Sequence, residues 1–241
     1  MKNKYLLEIS VENLEAAAAA ERGGADRIEL CEALNAGGVT PNTDLMRATR
    51  EGVRIPIFSM VRPRVGDFVF SGAEVSQMKR EIETAKACGM DGIVLGVLRA
   101  DATLNIQLTR ELVEFARPLP VTFHRAFDES ADVRRALEDV IATGATRILT
   151  SGGERSAAEG AAALADLVKA ARGRIAILPG GGINPSNLER VARETGAREF
   201  HSGLGTLLPY PRNGHTEFER QVRKLAAILG GPELERALAN R

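Results

Sequence analysis

Seven side chains suited to catalysis stand at or just beyond short apolar runs of this chain: Glu8, Glu29, Arg62, His124, Arg125, Asp128 and His201. Carboxylates and imidazoles exchange protons near neutrality and arginines hold anions, so the set suits acid–base chemistry on a small charged molecule. The densest stretch is Thr122-Phe123-His124-Arg125-Ala126-Phe127-Asp128, where a titratable ring, a fixed cation and a carboxylate surround one strand end. Asp128 either orients His124 or, followed by Glu129-Ser130, closes a turn. Arg62-Pro63-Arg64 with Gly66-Asp67-Phe68 reads as an anion-gripping loop or as a lid.

Three glycine turns add a second kind of chemistry: Thr150-Ser151-Gly152-Gly153, Pro179-Gly180-Gly181-Gly182 and Ser202-Gly203. Bare backbone N–H groups at such turns can cradle an anion, which makes Ser151, Gly152, Gly153, Gly181, Gly182, Ser202 and Gly203 the anion-binding candidates. Tight turning alone is the alternative use of the same residues. His215, in Asn213-Gly214-His215-Thr216, reads as a surface or capping residue, and Cys88 as packing. The chain has no G-x-S-x-G, no H-E-x-x-H and no P-loop.

Such residues need a scaffold, and the hydrophobic pattern supplies one. Strand-length apolar runs at 5–10, 27–31, 56–61, 92–97, 121–125, 147–150, 174–178 and 198–202 alternate with helical stretches. The helices are expected near 12–22, 41–51, 72–88, 105–116, 132–143, 156–172, 185–195 and 217–229, with a short extra one near 232–239. Thr40-Pro41 and Asn184-Pro185 look like capped helix starts, and Ser71, Ser156 and Thr216 each stand three residues before a Glu, as in a capping box. Gly24, Gly89, Gly144 and Gly196 precede even-numbered strands and suit left-handed helix stops.

Eight sequential β/α units without a linker predict one domain of α/β class, a (β/α)₈ TIM barrel over residues 1–241. An open dinucleotide-binding sheet is disfavoured because no G-x-G-x-x-G follows the first strand. In a barrel the active face lies at the C-terminal strand ends. Alternation then turns Glu8, Ser10, Glu29 and Cys31 into the lumen, with Arg62, His124 and His201 on the matching side of their strands.

Composition excludes other functions. Lys+Arg 32 balances Asp+Glu 32, so the basic excess of a nucleic-acid or anionic-membrane binder is lacking. With Trp 0 and Tyr 2 an aromatic stacking platform is not expected, and two cysteines make no disulfide framework or four-cysteine zinc site. Glu8 and Glu12 interrupt the first apolar stretch, so a signal peptide is not expected and a cytoplasmic location is. A homo-oligomer is open.

Longer words in the chain carry a family resemblance. GGADRIELCEAL at 23–34, GGVTP at 37–41, MVRPRVGDF at 60–68, PVTFHRAFD at 120–128, LTSGG at 149–153 and PGGGIN at 179–184 resemble signature segments of the CutC family, over nearly the whole length. The resemblance implies a TIM barrel, a cytoplasmic protein and a part in copper homeostasis through Cu(I). Cys31 is then the candidate metal ligand, with Met60 or His124 beside it, although Ser10 stands where many family members carry a cysteine. An enzyme of lyase, isomerase or hydrolase type acting on a small anionic or phosphorylated metabolite is the alternative. There Glu29 or His124 would move protons, and Arg62 and Arg125 would clamp the anion.

Overall fold

The computed structural model describes residues 5–204, 214–231 and 234. Eight strands alternate with eight helices: β1 Leu6–Val11, α1 Leu14–Gly23, β2 Arg27–Leu30, α2 Thr43–Gly52, β3 Ile57–Met60, α3 Gly72–Ala87, β4 Gly92–Leu95 and α4 Ile106–Ala116 form the first half. The second half is β5 Val121–Phe123, α5 Val133–Thr143, β6 Arg147–Thr150, α6 Ala161–Ala171, β7 Ala176–Pro179, α7 Leu188–Thr195, β8 Glu199–Ser202 and α8 Gly214–Leu229. All ladders are parallel, in the order β7-β6-β5-β4-β3-β2-β1-β8. The remaining β7–β8 junction closes by contact. Ser202 Oγ donates to Ile183 O at 2.6 Å, and a Cβ added to Gly180 would lie 3.3 Å from His201 Cβ. The result is a nearly closed (β/α)₈ barrel.

Helix periodicity packs one stripe of each helix on the barrel. α7 buries Leu188, Val191, Ala192 and Thr195, and α5 buries Ala136, Leu137, Val140 and Thr143. Each such leucine withdrawn from water stabilises by roughly 1.5–3 kcal/mol. The alanine run of α1 lets it approach α8 so closely that a Cβ on Gly23 would meet Val222 at 2.7 Å.

The four glycine stops have φ of +96° at Gly24, +71° at Gly89, +86° at Gly144 and +67° at Gly196, the left-handed conformation that L side chains avoid. The Ser71–Glu74 capping box forms in full. Four other helix starts differ from the sequence expectation. Asn42, not Thr40, caps α2, because Thr40 Oγ1 donates to Glu81 and accepts from Arg62 N. α6 starts at Ala161 rather than near 156, since Ser156 holds an isolated turn by accepting from Glu159 N.

α7 starts at Leu188 rather than 185, because Asn184 Oδ1 is taken by Ser186 N and Oγ. α8 starts at Gly214, which puts His215 and Thr216 inside the helix and leaves Glu219 to bind Arg22 and Arg223. The fifth strand stops at Phe123 instead of 125, because His124 turns the chain into a 3₁₀ segment at Arg125–Glu129. The extra helix expected near 232–239 lies outside the described residues, apart from Leu234.

Candidate functional site

Barrel-facing residues alternate along the strands and fall into two levels. At the floor, Arg27 donates through Nε to Glu8 and through Nη2 to Glu199 at 2.8 Å. Arg147 Nε donates to the same Glu199 at 2.8 Å, and its Nη1 reaches Thr122 Oγ1 at 3.4 Å. The Phe58 ring packs against both guanidinium groups, 4.8 Å from Arg27 Cζ and 5.1 Å from Arg147 Cζ. Every charge at this level has a partner.

Glu8 joins floor to mouth. Its second oxygen accepts from His201 Nδ1 at 2.7 Å, and His201 Nε2 stands 3.8 Å from Glu29 Oε2. One imidazole therefore lies between two carboxylates in opposite environments. Burial disfavours the Glu8 charge, but the Arg27 guanidinium and His201 outweigh it and hold Glu8 down to about 2. Glu29 has no arginine in contact, so burial and the Glu8 charge raise it to about 7 despite His201. Burial also opposes the charge on His201, yet Glu29 and Glu8 prevail and raise its pKa.

Above this dyad opens a cavity of ≈ 710 Å³, walled by Ser10, Glu29, Met60, Arg62, His124, Arg125, Gly181, Gly182 and Gly203 among others. Three of its side chains are more than nine-tenths buried, at 3% exposure for Glu29, 4% for His124 and 6% for Arg62, and each carries a polar atom with no protein partner. The atoms are Glu29 Oε1, His124 Nε2 and Arg62 Nε. Orphaned buried polar atoms are uncommon in folded proteins, and here three belong to residues that line one cavity.

Local structure fixes the two basic groups. Arg62 donates to the carbonyls of Gly37 and Gly38 and, at 2.6 Å, to Gly66 O, and it lies 4.7 Å over the Phe68 ring. It forms no ion pair among the described residues; Glu129, on the exposed rim, is the foremost carboxylate acting on it. His124 accepts from Ala126 N through Nδ1, which leaves its proton on Nε2 as a donor. Burial, reinforced by the Arg62 charge, lowers His124 to about 3, so its ring is neutral at physiological pH.

The remaining candidates divide. Asp128 does not touch His124. It pairs with Arg125 Nε at 2.8 Å and accepts from Thr150 Oγ1 and from the backbone N–H groups of Ser151 and Gly153. Gly152 N donates to Thr150 Oγ1. The amides of the turn after β6 are thus occupied by the protein's own groups. Ser202 serves as the peg between β8 and the β7 loop. Gly181, Gly182 and Gly203 line the cavity, and their N–H groups make no protein hydrogen bond among the described residues. Sequence reasoning missed Arg27 and Arg147. The available signal was the two-residue spacing that puts Arg27 in phase with Glu29 and Cys31, and Arg147 in phase with Leu149.

A family model described as the CutC family matches residues 5–206. The chain belongs to the CutC family. Its relatives include the human "Copper homeostasis protein cutC homolog", 47% identical over 83% of this chain and 73% of that protein. A CutC family protein of Xanthomonas axonopodis is 47% identical over 89% of this chain and 92% of its own length. Among solved structures, a CutC protein of Streptococcus agalactiae superimposes with a TM-score of 0.77 at 30% identity, over 82% of this chain and 98% of that one.

A copper cofactor can be tested against the donors of this CutC chain. Cu(I) favours thiolate and thioether sulfur. Cys31 is fully buried, its thiol donates to Val11 O at 3.8 Å, and burial together with Glu29 raises its pKa well above the ordinary value. Met60 is the one thioether on the cavity wall, while Cys88 lies at the end of α3 in the outer core. One protonated thiol and one thioether do not make a resident Cu(I) centre. Glu8, Glu29 and His201 lie close enough to hold a metal ion, but both Glu8 oxygens are engaged, leaving Glu29 and His201 Nε2 as open donors of hard and intermediate type. No helix among the described residues is long and apolar enough to cross a membrane.

Proposed function

We propose that the barrel mouth is an acid–base site for a small anionic molecule, and that its reaction moves a proton next to a carbonyl, as in an isomerase or lyase. The observation that carries this reading is the triplet of orphaned buried atoms, Glu29 Oε1, Arg62 Nε and His124 Nε2, around one cavity. Glu29 is the proton carrier. A carboxyl group poised near 7 is balanced between accepting and releasing a proton at working pH, whereas Glu8 at about 2 stays ionised and orients His201.

Neutral His124 and cationic Arg62 are donors to the oxygen on which negative charge develops when the proton leaves carbon. A neutral imidazole N–H suits this role, because it polarises a carbonyl without giving up its proton. The fixed partners of both groups, Ala126 N for the ring and three glycine carbonyls for the guanidinium, spare the reaction the reorientation of its donors. The test is solvent-hydrogen exchange into a panel of small anionic carbonyl compounds in deuterated water. At least one compound is expected to exchange with the unaltered protein and about a hundred-fold or more slowly with Glu29→Gln. Exchange that survives Glu29→Gln contradicts the assignment.

One observation favours a second reading, in which Cu(I) is transient cargo rather than a held cofactor. Cys31 Sγ and Met60 Cε both lie within 3.4 Å of the point a Gly38 Cβ would occupy, so the two soft donors of the mouth are neighbours. It joins the human relative's name to this chain. Under it, Cys31→Ser loses Cu(I) to a competing chelator that the unaltered protein resists; equal loss from both proteins removes this reading.

A further inference from the structure

The mouth holds a buried cation that no carboxylate contacts among the described residues. Among the described residues, Arg27 and Arg147 pair with Glu8 and Glu199, whereas Arg62, 6% exposed, forms no ion pair and has Glu129, on the exposed rim, as its foremost carboxylate. Arg125 and Asp128 neutralise each other. Buried charge without a counter-charge is costly, and the missing charge is negative.

The wall opposite Arg62 and His124 offers the seat for that charge. Gly181 and Gly182, at φ of +93° and +72°, line the cavity with Gly203, and the N–H groups of all three have no protein partner among the described residues. Arg125 commits Nε to Asp128 and Nη2 to Ser151 Oγ, and turns Nη1 to within 3.3 Å of where a Gly181 Cβ would stand. A side chain on Gly181 would fill that approach. The equivalent amides after β6 are closed by Asp128, so an anion has one glycine seat and not two. A phosphate monoester brings a charge of about −1.5 to −2 at neutral pH and three acceptor oxygens, so it can meet three amides and a guanidinium at once, where a carboxylate offers two oxygens.

We infer that the substrate is a phosphate monoester of a small carbonyl compound, its phosphate held by the Gly181, Gly182 and Gly203 amides and Arg125, and its reacting carbon at Glu29. This assignment rests on the acid–base reading above and adds the substrate class to it. The phosphate end supplies binding and orientation, so the carbonyl end can be placed between Glu29 and the Arg62–His124 pair.

Backbone amide resonances of the ¹⁵N-labelled full chain, followed while inorganic phosphate is added at neutral pH, test it. Gly181, Gly182 and Gly203 should shift along one saturating curve while Gly152 and Gly153 stay in place. Arg125→Lys should weaken that curve about ten-fold, the usual scale for one charge-assisted hydrogen bond. Acetate should bind at least about ten-fold more weakly than phosphate, for the same reason. Glu29→Gln, which removes a negative charge from the same cavity, should bind phosphate at least as tightly as the unaltered protein does. Phosphate binding without Glu29-dependent hydrogen exchange would therefore leave the phosphate seat standing and remove the acid–base reading together with the placement of the reacting carbon at Glu29. No saturable shift at the three glycines, equal shifts at Gly152 and Gly153, acetate binding as tightly as phosphate, or scattered shifts that mark an adventitious ion only would each overturn it.

Discussion

The floor and the mouth of the barrel are built from the same residue types, yet only one of them is complete. At the floor, Arg27, Arg147, Glu8, Glu199 and Thr122 satisfy one another around the Phe58 ring. A few ångströms higher, Glu29, Arg62 and His124 are as deeply buried but keep open atoms. Burial alone therefore does not mark a functional charge. What separates the two levels is whether the protein supplies the partner, and on the proposed reading the mouth leaves that to a ligand.

The largest effect expected from breaking this contrast is at the floor. Arg27→Met would leave Glu8 buried without its arginine and the half-buried Glu199 with Arg147 alone, and chemical denaturation should record a loss of about 3–5 kcal/mol. A loss below about 1 kcal/mol would mean that the floor pairs are not mutually dependent.

At the mouth the effects are expected in the pH dependence. Glu29 ionises near 4.5 in the unfolded chain and near 7 in the folded one, so the folded state holds the extra proton in between. Stability should fall as pH rises through that window, by about 2–3 kcal/mol, and Glu29→Gln should flatten the fall. His124 behaves in the opposite sense. Its folded value of about 3 lies below the ordinary 6.5, so stability is complete above 6.5 and is lost as pH falls toward 3. Denaturation midpoints across this range, compared with those of His124→Asn, check the sign; a variant with an unchanged acid limb would contradict it.

A steric test separates the levels further. A methyl group on Gly96 would lie 2.5 Å from His124 Nδ1, and one on Gly92 would lie 2.5 Å from the Phe58 ring. Each alanine should cost about 1–3 kcal/mol by overpacking. Gly96→Ala should also suppress the hydrogen exchange assigned to the mouth, whereas Gly92→Ala should retain more of it. Equal activity losses would erase the distinction. The smallest expected change is Ser71→Ala, remote from both levels, at about 1 kcal/mol of thermal stability with no effect on ligand binding.

The eight-fold β/α alternation was legible because it is written locally, in apolar periodicity and in glycines such as Gly24 and Gly144 that end helices. Glu8, Glu29, Arg62, His124 and His201 were legible as a convergent set because strand alternation fixes which way each points. Helix starts were less so. Ser156, Thr216 and Asn184 carry capping chemistry, but each of these positions obeys a competing bond or a tertiary demand instead.

The turn after β6 was illegible for a related reason. Its glycines look like those after β7, and only the fold reveals that Asp128 has filled the amides. The floor arginines escaped notice because Arg27 and Arg147 begin their strands, where a charged residue ordinarily faces solvent; partners far along the chain, Glu199 above all, turn them inward.

The most direct measurement is a carbon-13 titration of the glutamate side-chain carboxyls. A Glu29 midpoint near 7, with Glu8 remaining ionised down to about 2, is the expected result. A Glu29 midpoint near the ordinary 4.5 would show an unperturbed carboxylate, and the mouth would then have no proton carrier matched to neutral pH.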